Sequence, residues 1–118
     1  IFAPCALGGV LTPDTIDSLK AGIVAGSANN QLADEADAAR LKARGILYAP
    51  DYVINAGGLI NVAAELAPGG YDRADALARV DHIPDVLTRI FRRSEETGEP
   101  ANTIAERMAA ERLGRQRL

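Results

Sequence analysis

The sequence predicts an α/β fold in which short parallel strands alternate with helices, followed by a helical C-terminal region. Three observations carry this. Short apolar runs at 1–5, 23–25 and 46–49 are followed by Gly8-Gly9, Gly26 and Pro50 respectively, as expected of strands buried on both faces of a parallel sheet. Stretches rich in helix formers or helix starts separate them, and that alternation favours right-handed parallel crossovers. After residue 66, apolar residues recur only at helical spacing.

Taken in order, the run at 1–5 reads as a strand entering a loop at Gly8-Gly9, where the backbone must turn sharply. Ile1 and Phe2 resemble the inside of a strand already under way, so the chain is expected to be truncated at its start. Thr12-Pro13-Asp14 announces a helix: Thr12 can cap free N–H groups, Pro13 suits the first helical position and Asp14 complements the dipole. Ile16 and Leu19 share its inner face and Gly22 ends it. After the strand at 23–25 comes a helix over 34–44, rich in Ala, Leu, Glu and Arg, with Gly45 at the C-capping position. The strand at 46–49 closes at Pro50-Asp51. Helical spacing over 52–66 predicts a helix despite Gly57 and Gly58, which each cost about 1 kcal/mol against Ala and so imply a close backbone neighbour. Leu77, Val80, Ile83, Leu87, Ile90 and Phe91 mark a long amphipathic helix that Pro84 interrupts, either as a kink or with Asp81 capping a second segment. Thr103-Ile104-Ala105-Glu106 has capping-box spacing, with Met108, Ala109 and Leu113 as an apolar stripe behind it.

Composition excludes several function classes. The 118 residues carry 47% hydrophobic and 25% charged side chains, the profile of an ordinary globular protein. No apolar run approaches the ~20 residues of a spanning helix, and the start lacks the zones of a signal peptide. One cysteine, Cys5, rules out an internal disulfide and, with the lone His82, leaves too few ligands for a zinc site. A net charge of -3 gives no electrostatic case for nucleic acid. Arg107, Arg112, Arg115 and Arg117 read as a solvated helix face. The expectation is a cytoplasmic, metal-free chain with neither nucleic acid nor membrane as partner.

In a parallel sheet, ligands bind beyond the carboxyl ends of the strands. The three segments there are Pro4-Cys5-Ala6-Leu7-Gly8-Gly9, then Gly26-Ser27-Ala28-Asn29-Asn30, and Ala49-Pro50-Asp51 onward to Asn55-Ala56-Gly57-Gly58. Small residues let a ligand approach the backbone, and Asn offers a donor and an acceptor without charge. Each feature alone is ordinary turn chemistry. Together, on consecutive strand ends, they point to an α/β ligand-binding half-domain.

The segments APCALGG at 3–9, AGSANNQLAD at 25–34 and YAPDYVINAGGLINVA at 48–63 resemble the leucine, phenylalanine and valine dehydrogenases, within the wider glutamate/leucine/phenylalanine/valine group. The similarity extends to about Arg112. It implies a partial Rossmann-like domain: residues 1–66 as the second half of an NAD-binding unit, and 67–118 as C-terminal helices that pack on it or close the cleft. It also implies NAD as cofactor, an L-amino acid or 2-oxo acid as small-molecule substrate, and a homo-oligomer as the complete enzyme. On the resemblance, Ala6 and Leu7 line the cofactor cleft, Asn29 faces the nicotinamide ribose, and Asn30 reaches the nicotinamide end and the substrate. Ala28 and Asn55 belong to the same cleft. Leu59 and Val62, three residues apart on one helix face, would contact the substrate side chain. Similar glutamate dehydrogenases carry a serine at the position of Val62, so an apolar substrate is expected over glutamate.

The family's catalytic lysines and aspartate and its glycine-rich GxGxxG-type turn do not occur in these 118 residues, so no catalytic role is assigned to Lys20 or Lys42. The chain alone is expected to be inactive and to bind NAD weakly. The alternative expectation is a non-catalytic nucleotide-binding or interaction half-domain with an unpaired strand edge. Cys5 reads as buried packing with nothing beside it to lower its pKa, and His82 as a surface residue.

Overall fold

Two short strands form the sheet: β1 (Ile23–Val24) and β2 (Leu47–Tyr48) run parallel, with Ile23 opposite Leu47 and Val24 opposite Tyr48. This is a computed structural model, and it describes residues 1–114. Phe2 bridges Val24 from the other side, so β1 lies between the first segment and β2. The first strand expected over 1–5 is thus a single bridging residue. The reason is Pro4, which has no N–H to give a ladder, while its carbonyl accepts the N–H of Ala28 (3.0 Å) instead.

α1 (Pro13–Ser18) is capped by Thr12, whose Oγ1 accepts the N–H of Thr15 at 3.2 Å. It stops short of Gly22 because Leu19 turns extended. The Arg44 guanidinium then takes the carbonyls of Ile16 and Leu19, placing a cation at the helix's negative end. α2 (Asp37–Ala43) begins three residues later than expected, because Asp34 and Asp37 fold the preceding residues into a turn through side-chain bonds to Ala36 N–H and Asp34 N–H. It ends in a Schellman motif: Gly45 sits at φ +69° while Ile46 N–H reaches the Leu41 carbonyl and Gly45 N–H that of Lys42.

The helix expected over 52–66 is two helices, α3 (Asp51–Ile54) and α4 (Gly57–Glu65). The break falls at Asn55, whose amide bonds groups outside the helix. Neither glycine has a close backbone neighbour. A Cβ on Gly57 would meet only Val80 at 3.9 Å, and one on Gly58 would meet nothing within 4 Å.

α5 (Arg73–Asp81) and α6 (Ile83–Thr97) replace the single interrupted helix. Neither anticipated alternative holds at Pro84: His82, not Asp81, is the N-cap of α6, and Pro84 lies in the first turn, where its missing N–H costs nothing. Of the six apolar positions only Ile90 is fully buried, since the stripe is divided between two helix directions, leaving Leu77 half-exposed. α7 (Ala101–Arg112) starts after Pro100, so Thr103 lies inside its first turn and does not cap it. Ile104 and Ala105, rather than Ala109 and the exposed Leu113, form its buried face. Arg115 and Arg117 lie outside the described residues.

Two apolar clusters hold these elements. Leu11, Ile16, Val24, Leu41, Ile46 and Tyr48 bury the sheet against α1 and α2, while Ile90, Ala101, Ile104 and Ala105 join α6 to α7. Lys42 links the two regions, its Nζ donating to the Ser94 carbonyl and hydroxyl at 3.1 Å each.

Candidate functional site

The first two strand-end segments meet because two glycines let their backbones touch, and the third joins them through Asp51 and Asn55. A side chain on Gly26 would collide with the backbone of Pro4, and one on Gly8 would come within 2.7 Å of the Asn29 carbonyl. Gly9 N–H donates to the Asn30 carbonyl at 2.7 Å. Asn30 itself is the one described non-glycine residue at positive φ, +53°, a left-handed turn that Asn tolerates better than most residues.

Beneath this turn lies Gln31, fully buried. Its Nε2 donates to the carbonyls of Gly26 (2.8 Å) and Ala28 (2.9 Å), and its backbone N–H to Asp51 Oδ2 at 2.8 Å. Asp51 Oδ1 accepts the N–H of Tyr52 at 2.6 Å. Sequence reasoning missed both residues as part of the site. The available signal was a polar Gln between the Asn-Asn turn and apolar Leu32, and an Asp directly after the proline that ends a strand.

Above the turn opens a cleft of about 650 Å³, lined by Asn29, Asn30, Asp51, Tyr52, Asn55, Ala56, Gly58, Leu59 and Val62. It brings together five of the residues singled out from sequence: Asn29, Asn30, Asn55, Leu59 and Val62. Asn55 Nδ2 donates to Asn29 Oδ1 at 2.6 Å and to the Ser27 carbonyl at 3.4 Å. Among the described residues, no bond is made by Asn29 Nδ2 or Asn55 Oδ1, so the pair keeps one donor and one acceptor unengaged. Leu59 and Val62 are 74% and 55% exposed, so the apolar wall faces the opening and not the core.

The remaining candidates lie elsewhere. Ala6 and Leu7 are exposed on the first loop and do not line this cleft, and Ala28 is buried below it, bonded through its backbone to Pro4 and Gln31. Cys5 is exposed, not buried, and Ser27 beside it lowers its thiol pKa by hydrogen bonding. This corrects the reading of Cys5 as an inert core residue. Lys20 is exposed, Lys42 is held by Ser94, and exposed His82 faces Asp85 at 3.6 Å.

Two tyrosines border the site. Burial pushes the Tyr48 phenol up to about 12, with the Asp51 carboxylate adding to the effect. Tyr52 is raised as well, first by loss of hydration and then by the Glu106 carboxylate, and its hydroxyl donates to the Asn102 carbonyl at 3.1 Å. Both phenols stay protonated at neutral pH. No described helix is long and apolar enough to cross a membrane, and among the described residues no three His, Cys, Asp or Glu side chains are placed to hold a metal.

Comparison with known proteins agrees with the motifs. The family model for glutamate/leucine/phenylalanine/valine dehydrogenase matches residues 1–118. The leucine dehydrogenase of Thermoactinomyces intermedius is 51% identical over 113 residues, covering 96% of this chain and 30% of that protein. The valine dehydrogenase of Streptomyces coelicolor is 50% identical over 117 residues, covering 99% and 32%. The crystal structure of L-tryptophan dehydrogenase from Nostoc punctiforme superposes with a TM-score of 0.90 at 51% identity, covering 96% of this chain and 33% of that one. The chain therefore spans about a third of the length of these relatives. Its Asn-lined cleft, parallel strands and near-complete match place it in the glutamate/leucine/phenylalanine/valine dehydrogenase family.

Proposed function

We propose that this chain forms one wall of the cofactor and substrate cleft of an NAD-dependent amino-acid dehydrogenase, which converts an apolar L-amino acid of the leucine, valine or phenylalanine type reversibly into a 2-oxo acid and ammonia. In this reading residues 1–66 are the second half of a Rossmann-like NAD-binding domain and 67–118 are helices packed on it. The whole enzyme is a cytoplasmic homo-oligomer.

The observation that carries the reading is the pairing of Asn29 with Asn55. Their side chains are joined by a hydrogen bond on the cleft wall, and a pair of uncharged amides there suits a carboxamide, which offers one acceptor and two donors in a plane. A nicotinamide ring fits these residues, and when bound it accepts the hydride from the amino acid. Asn29 and Asn55 then orient the carboxamide, or the ribose next to it, and Asn30 holds its left-handed turn at the same wall. Fixing that geometry is where such a wall contributes to rate, since hydride transfer needs the two carbons aligned. Leu59 and Val62 offer the substrate side chain an apolar surface with no hydrogen-bond partner, so a second carboxylate lodged there would lose hydration without compensation, at a cost of several kcal/mol.

The test is a titration of the 118-residue chain with NAD, followed through the side-chain amide NMR signals. The expected result is saturable shifts of Asn29, Asn30 and Asn55, with a dissociation constant on the order of 1 mM, a weak interaction of about 4 kcal/mol. Shifts confined to the exposed arginines, with the three asparagines unmoved, would contradict it.

A further inference from the structure

Asn29 and Asn30 are exposed and Asn55 is half-buried, yet they are not held by their own side chains alone. Asn29 and Asn30 form a turn that projects from the end of β1, and Asn55 sits at the break between α3 and α4. What relates these two places is a buried polar connection. The Gln31 side-chain amide draws the Gly26 and Ala28 carbonyls together from below, and the backbone N–H of the same residue reaches across to the Asp51 carboxylate, twenty residues further along the chain. Asp51 in turn holds the N–H of Tyr52 at the start of α3. The Nε2 of this fully buried amide lies among three carbonyls, those of Gly26, Ala28 and, at 3.5 Å, Pro4, so the N–H side of the amide fixes its orientation, while its Oε1 has no partner among the described residues.

We propose that Gln31 and Asp51 are positioning residues: together they set the distance between the Asn29-Asn30 turn and Asn55, and thereby the orientation of the bound carboxamide. Gln31 does not line the cleft, and Asp51 lines it with both carboxylate oxygens engaged, one by the Gln31 backbone N–H and one by the Tyr52 N–H. Gln31 acts through Ala28 and the turn that follows, and Asp51 acts through Gln31 and the first turn of α3. The inference rests on the nucleotide reading of the cleft for its functional consequence, but its structural half stands on the bonds alone. Gly8 supports the same arrangement from the other side, because only a residue without a side chain leaves room for the Asn29 carbonyl.

The test uses Gln31→Met, which keeps the length and apolar bulk of the side chain and removes the side-chain hydrogen bonds to Gly26 and Ala28, while the backbone N–H bond to Asp51 remains. Two readouts are taken on the 118-residue chain. In the absence of ligand, the methyl signals of Ile16, Val24 and Leu41 stay in place, showing an intact core, while the side-chain amide signals of Asn29 and Asn55 move towards those of free asparagine. With NAD added, the apparent affinity falls at least tenfold relative to the unaltered chain. Asparagine signals and affinity both unchanged in a folded Gln31→Met chain would overturn the proposal. If Gln31→Met does not fold, Asp51→Asn decides it: that variant keeps one acceptor and loses the other, and is expected to displace the same two asparagine signals. An Asp51→Asn chain with those signals unmoved would overturn the proposal equally. Should NAD shift no asparagine even in the unaltered chain, the nucleotide reading fails, and the ligand-free spectra still decide whether Gln31 and Asp51 set the geometry.

Discussion

Gly26 and Gly58 both lack a side chain, and the surroundings give that lack opposite consequences. At Gly26 an added methyl runs into the backbone of Pro4, which cannot swing away as a flexible side chain would. Gly26→Ala is expected to destabilise the fold by about 3 kcal/mol, at the upper end of overpacking costs, read as a lowered urea midpoint. At Gly58 a methyl meets open space, and Ala favours the helix by up to about 1 kcal/mol, so Gly58→Ala should leave the midpoint unchanged or raise it. The tyrosines supply a pH prediction. Tyr48, pushed up to about 12 by burial, exceeds the ordinary phenol value of about 10. The folded state therefore keeps this proton more tightly than the unfolded one. The associated stability is fully present below pH about 10 and is lost as pH rises through about 12, so the urea midpoint should fall across that window together with the rise of phenolate absorbance. Of the residues at the site, the cleft asparagines were legible because turn position and amide chemistry are both written in the sequence. Gln31 and Asp51 were not, since their importance comes from a bond between segments twenty residues apart.

At the level of elements, caps separate what a local pattern can and cannot decide. Thr12-Pro13-Asp14 and Thr103-Ile104-Ala105-Glu106 both resemble helix starts, yet only Thr12 accepts a backbone N–H. The second pattern is overridden because Pro100 already starts α7 and buries Ala101 and Ile104 against α6. Thr12→Ala should cost about 1 kcal/mol, as loss of an N-cap does, whereas Thr103→Ala should stay within about 0.5 kcal/mol of the unaltered chain. Thermal unfolding of the two variants side by side distinguishes them. The strands were legible as apolar runs, and their parallel pairing follows from the intervening helices. Their shortness was not legible, because strand length depends on where partners stop offering hydrogen bonds, as Pro4 shows. The divided helix at Asn55 was likewise hidden: helical spacing continues through it, and only the bond to Asn29 reveals why the axis changes.

For the whole molecule, three of the exposed apolar residues lie on one short helix and its C-cap beside the cleft. Leu59, Val62 and Leu66, spaced along α4, are 74%, 55% and 83% exposed, and the first two line the same cleft as the asparagine pair. The chain matches about a third of the length of its relatives, so the reactive chemistry of the complete enzyme is proposed to involve residues beyond those described. The role proposed for this wall is to orient a nicotinamide against an apolar amino acid. It is tested most directly by replacing the matching 113-residue segment of the leucine dehydrogenase from Thermoactinomyces intermedius with this chain and measuring NADH formation from leucine, valine, phenylalanine and glutamate. The expected result is NAD-dependent turnover with kcat/KM for the best apolar substrate at least tenfold above that for glutamate, and a narrowing of that gap by about tenfold in Val62→Ser, the scale of one polar contact in a substrate pocket. A folded, host-like assembly that shows no turnover, or one that prefers glutamate, would contradict it.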